Sequence, residues 1–106
     1  MDFEKRRGCA FICCVIFLAL FVALSGCSKE AKMERHWKKG ENYFSENKLN
    51  EAILEYKNVI NLEPKHAQAH YKLGLSYMRL RMFREAYAEI SKTVEIDPEM
   101  MDARNQ

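Results

Sequence analysis

Apolar positions along this chain follow two different rules. From Cys9 to Leu24 they form one unbroken run, whereas from Met33 to Met100 they recur every three or four residues. The second pattern belongs to amphipathic helices, because 3.6 residues per turn return side chains to one face at that spacing. It predicts helices at about Met33–Glu46, Asn50–Leu62, Ala67–Arg79 and Arg84–Ile96. Leu49, Ala52, Ile53, Tyr56, Val59, Ile60 and Leu62 make the apolar stripe of the second. Leu73, Gly74, Tyr77 and Met78 mark the third, and Phe83, Ala86, Tyr87, Ile90 and Val94 the fourth. Asn50 is expected to cap the second helix through its side-chain oxygen. Asn47 suits a left-handed turn residue, and its counterpart Arg81 suits it less well. Pro98 stops the fourth helix, because proline has no N–H to donate and disfavours a helical residue before it. One such hairpin cannot bury both of its apolar sides, so it needs a neighbour.

The chain supplies that neighbour. A shift of 34 residues lays Met33–His66 on Ala67–Met100. Gly40 then falls on Gly74, Tyr43 on Tyr77, Leu49 on Phe83, Glu51 on Glu85, Ala52 on Ala86, Tyr56 on Ile90, Val59 on Thr93 and Pro64 on Pro98. His36 falls on His70. Glycine within a helix costs about 1 kcal/mol, so Gly40 and Gly74 are expected to let paired helices approach closely. This period, with these residue types at these offsets, resembles the tetratricopeptide repeat. The resemblance implies an all-α fold of tandem antiparallel helix hairpins, an α-solenoid. Repeat one would span 33–66 and repeat two 67–100, with 101–106 as the truncated start of a third. Lys39 departs from the pattern: it stands where the repeat usually has leucine, the place held by Leu73. It is expected to face solvent at the end of the stack.

The N-terminal run reads differently. Lys5, Arg6 and Arg7 precede it, and Leu24-Ser25-Gly26-Cys27 closes it. A basic segment, an apolar core and small residues at a cleavage region make a secretory signal peptide. The ending resembles the lipobox of bacterial lipoproteins. That resemblance implies a signal peptide over 1–26, a lipidated Cys27 as the first mature residue, and a short linker to residue 32. Ser28, rather than aspartate, leans toward outer-membrane sorting in that family. The competing reading is an uncleaved transmembrane helix, since Cys9–Cys27 is about 19 residues and roughly 20 span a bilayer. Both readings place the repeats outside the inner membrane.

Composition narrows the chemistry. Hydrophobic residues make up 48% of the chain, a figure inflated by the N-terminal run, and the formal net charge is only +2. A dedicated nucleic-acid binder usually carries a clustered basic face. All four cysteines lie between Cys9 and Cys27, so the repeats carry neither a disulfide framework nor a zinc site. His66 and His70 are spaced i, i+4, but too few ligands converge to predict a metal site. No nucleophile motif, paired-carboxylate arrangement or phosphate loop points to catalysis, and no cofactor is expected.

Binding is the remaining expectation. In the repeat family the first helix of each hairpin lines a concave groove. The corresponding offsets include Trp37, Glu41 and Phe44 in repeat one, and Tyr71, Leu75, Met78 and Arg79 in repeat two. Family members that clamp a terminal carboxylate use lysine and asparagine at the offsets of Trp37, Glu41, Tyr71 and Leu75, so that clamp is absent. The groove is aromatic and apolar instead, suited to a protein or helical peptide partner. The resemblance implies an interaction scaffold in the bacterial envelope, in settings such as pilus or secretin assembly or exopolysaccharide export. The alternative is the targeting fragment of a larger envelope enzyme or modifier. Ile90, Val94 and Ile96 lie on a face that the next repeat would cover, so either the chain is truncated or that end is finished by self-association or a partner.

Overall fold

The computed structural model describes residues 2–102, and side chains for residues 8, 10–20 and 28–102. Five helices follow in order: α1 Asp2–Ser45, α2 Leu49–Leu62, α3 Ala67–Arg79, α4 Phe83–Ile96 and α5 Pro98–Asp102. The described residues contain no strand. The chain divides into two compact units, Met1–Ala31 and Lys32–Gln106.

In the first unit, Phe11, Ile12, Val15, Ile16, Phe17, Leu18 and Leu20 are exposed, as are the free thiols of Cys13 and Cys14. Among the described residues, no helix is long and apolar enough to cross a membrane. The Cys27 side chain lies outside the described residues, as do residues 103–106.

The second unit holds the hairpins. Its core is Ala52, Tyr56, Leu73, Tyr77 and Ala86, with Trp37, Tyr43, Phe44, Ile53 and Ile60 packed against it. Burying each large side chain here contributes roughly 1.5–3 kcal/mol. Two glycines set how closely the helices approach. A Cβ at Gly40 would lie 2.8 Å from the Tyr56 ring, and one at Gly74 would lie 2.7 Å from Ile90 Cγ1. Tyr56 and Ile90 are themselves related by the 34-residue period, so both hairpins close on one design.

Both hairpin turns use a left-handed residue, Asn47 at φ 59° and Arg81 at φ 61°. At each, the next backbone N–H bonds back into the preceding helix. Lys48 donates to the Tyr43 carbonyl at 2.8 Å and Met82 to the Tyr77 carbonyl at 2.9 Å. These paired bonds satisfy carbonyls that the helix end leaves open.

Three expectations need correction. Asn50 does not cap α2: the helix starts at Leu49, and Lys48 occupies the cap position with no side-chain bond. Burial of Leu49 and the turn at Asn47 set the start one residue earlier than the polar signal suggested. Met33 does not begin the first helix, because α1 already runs through it and ends at Ser45. Ser28–Lys32, expected as a short linker, also lies within α1. Its Lys, Glu, Ala and Lys are good helix formers with no glycine or proline among them.

Pro98 ends α4 as expected and also opens α5, where its missing N–H and fixed φ are tolerated. Asp97 assists by accepting from the Met100 backbone N–H at 3.2 Å. Lys39 is exposed.

Candidate functional site

The sequence placed a binding groove along α1 and α3, and side chains of these helices do meet. Glu41 of α1 forms the joint. Its Oε2 pairs with Lys72 Nζ at 3.2 Å, and its Oε1 accepts a 2.6 Å hydrogen bond from the Tyr56 hydroxyl. One carboxylate therefore ties α1 to both α2 and α3. Burial, together with the bond to Glu41, raises the Tyr56 phenol well above the usual tyrosine range.

Phe44, one turn further along α1, receives two cations on its ring. Lys72 Nζ lies 4.8 Å from the centroid and the Arg79 guanidinium carbon 4.0 Å. Such contacts are worth about 0.5–1 kcal/mol where exposed and more where dry. Phe44 also meets the Tyr56 ring edge-on, with centroids 6.5 Å apart. Trp37 packs on Tyr56 at 5.7 Å and on His66 at 5.3 Å.

Trp37 and Phe44 are thus half-buried and attached to the core. Tyr71 and Leu75 are half-buried, and Met78 and Arg79 are exposed. Arg79 makes no ion pair among the described residues, whereas Lys72 is committed to Glu41. The surface so formed combines apolar side chains with one guanidinium that has no ion-pair partner among the described residues. It offers shape and charge for recognition. Among the described residues, no group of three or more His, Cys, Asp or Glu side chains is placed to hold a metal ion.

Sequence reasoning missed Lys72 and His66. Lys72 follows Tyr71 directly, and only the crossing of α3 over α1 reveals that it reaches Glu41 and Phe44. His66 stands at the N-cap of α3 and has two tasks. Its Nδ1 accepts from the Ala69 backbone N–H at 3.1 Å, capping α3, while its ring supports Trp37.

The hairpins define a class, the α-solenoid built of antiparallel helix pairs. Comparison with known proteins makes this specific. A TPR repeat family model matches residues 40–80, and a tetratricopeptide repeat model matches residues 67–100. Residues 40–100 therefore carry tetratricopeptide repeats. Among solved structures, the TPR2B domain of yeast Sti1 in its pHsp70 complex is similar, with 28% identity and a TM-score of 0.63. That match covers 64% of this chain and 54% of the other, so this chain spans about half the length of that structure. The comparison with curated proteins gave no match. Tetratricopeptide repeats are protein–protein interaction scaffolds, and this chain carries that kind of surface.

Proposed function

We propose that this chain is a non-enzymatic, membrane-anchored scaffold of the bacterial cell envelope that holds a peptide segment of a partner protein against α1 and α3. The observation that carries the proposal is the Phe44 ring lying 4.0 Å from the Arg79 guanidinium, which has no ion-pair partner among the described residues, next to the exposed Met78. The preferred segment presents an aliphatic or aromatic anchor to Trp37, Phe44 and Met78, and an acidic side chain to Arg79. Aromatic and arginine side chains at a groove are the usual energetic centres of such contacts. Pilus or secretin assembly and exopolysaccharide export are the settings the lipoprotein resemblance suggests.

Anchoring rests on the sequence. The Leu24-Ser25-Gly26-Cys27 ending supports acylation of Cys27, and the exposed apolar run from Phe11 to Leu20 supports a segment that engages a membrane during export. More than one acyl chain makes attachment stable, and a single chain gives only reversible binding. Ser28 supports placement on the periplasmic side of the outer membrane.

Two measurements test these parts separately. Selection from a phage-displayed random peptide library against the full chain should enrich acidic–apolar sequences. Met78→Ala and Arg79→Glu should each abolish capture while leaving the melting curve in place. Capture that ignores both substitutions, or no enrichment, overturns the groove. For the anchor, labelled palmitate should enter the wild-type chain in bacterial cells and be absent from Cys27→Ala.

A further inference from the structure

We propose that two copies of this chain associate through α4, packed antiparallel across a two-fold axis. The 34-residue period supplies an internal control for the argument. In the first hairpin, Leu49 is 8% exposed and Ile53, Tyr56 and Ile60 are half-buried or buried, because the second hairpin covers them. Their counterparts in α4 lie open, with Phe83 60%, Tyr87 75% and Val94 44% exposed beside the half-buried Ile90. These residues form one stripe at i, i+4, i+7 and i+11.

The opposite end of the array is closed. Ala69, Leu73 and Ser76 of α3 are buried, while their counterparts Arg35, Lys39 and Asn42 on α1 are exposed. Those polar and charged side chains would be desolvated if a second copy stacked its first hairpin on α4, so a head-to-tail arrangement is disfavoured. A symmetric contact of open face on open face avoids that cost, because each copy presents the same apolar stripe.

Charge selects the antiparallel arrangement. Arg84 and Glu95 sit on the same flank of the stripe, three turns apart, and both are exposed. Neither makes an ion pair among the described residues. Antiparallel pairing sets Arg84 of one copy opposite Glu95 of the other, twice per dimer. Parallel pairing would put the two flanks on opposite sides of the seam, where these charges could not meet. Between them on that flank stand Ala88 and Ser91, small enough for the helices to cross closely. The first hairpin has Asn50 and Asn61 at the positions of Arg84 and Glu95, so this charge pattern belongs to the open end alone.

Charge reversal provides the test, because an apolar N-terminal segment that associated by itself would not respond to it. The full chain is examined by sedimentation velocity in a neutral detergent across a concentration series. Wild type should form a dimer. Arg84→Glu and Glu95→Arg should each weaken it about tenfold or more, since each replaces two attractive pairs with two repulsive ones. The double variant should return to within about threefold of wild type. Far-UV dichroism should show all variants folded. A chain that stays monomeric throughout, leaving α4 to a further hairpin or an unrelated partner, overturns the proposal. So does a dimer that ignores both reversals, or a double variant no better than the singles.

Discussion

His70 Nδ1 lies 2.6 Å from Glu89 Oε2, and one period earlier His36 Nδ1 lies 2.6 Å from Glu55 Oε2. Each pair ties the first helix of a hairpin to the second, but their surroundings differ. The His70 side chain is 4% exposed against 32% for His36. His70 also turns its Nε2 to the Pro64 carbonyl at 2.8 Å, clipping the α2–α3 turn to α4. Burial therefore decides the energetics. Glu89→Ala strands a buried ring nitrogen and should cost about 1–3 kcal/mol. Glu55→Ala leaves its histidine within reach of water and should cost under about 1 kcal/mol. Thermal melts of the two variants check the order; equal losses would show that the buried pair has no special weight.

Tyr56 sets the behaviour at high pH. Its phenol is raised in the folded chain, first by burial and then by its bond to Glu41. The folded state therefore holds this proton more tightly than the unfolded state, where tyrosine titrates near about 10. The resulting stabilisation is complete below about pH 10 and is lost as pH climbs beyond it. Urea melts from pH 8 to 11 should show a steeper loss for wild type than for Tyr56→Phe. At neutral pH the same variant should lose about 1 kcal/mol through its missing bond to Glu41. Parallel slopes for the two proteins would contradict the linkage.

Gly40 and Gly74 test the closeness of the hairpins. Alanine favours a helix over glycine by about 1 kcal/mol, whereas overpacking costs about 1–3 kcal/mol. At Gly40 the new methyl would meet the fully buried Tyr56 ring, whose hydroxyl is held by Glu41, so the ring has little room to yield. Gly40→Ala should be net destabilising by about 1–2 kcal/mol, lowering the melting temperature by roughly 4–16 °C for a unit of this size. In a Tyr56→Leu background the same change should lose its cost. A penalty that persists there would place the strain elsewhere.

The success of the sequence reading follows from what each signal measures. Periodicity reports which side of a helix is apolar, so the hairpins, the role of both glycines and the exposure of Lys39 were legible. The start of α1 was not, because helix-forming residues at Ser28–Lys32 carry no breaker to mark an end. Asn50 misled because a capping residue type says nothing of where Leu49 is buried. The contacts between α1 and α3 were not legible as a network. That Lys72 serves both Glu41 and Phe44 depends on how α3 crosses α1, which no local pattern encodes.

The two turn residues allow a final comparison. Asn47 and Arg81 occupy the same left-handed conformation, at φ 59° and 61°. Asparagine tolerates this region because its short side chain can bond locally, whereas arginine has no such compensation. Holding an ordinary residue there costs about 1 kcal/mol or more. Glycine removes that strain but gives the unfolded chain more freedom, which offsets part of the gain. Arg81→Gly should therefore stabilise the fold by about 0.5–1 kcal/mol, and Asn47→Gly should change it by less than about 0.5 kcal/mol. Arg81 is exposed, so no packing is lost with its side chain. Denaturant midpoints measured side by side decide the matter. If Arg81→Gly proved neutral or destabilising, the turn would be relaxed around arginine, and the 34-residue period would carry no stored strain at its second turn.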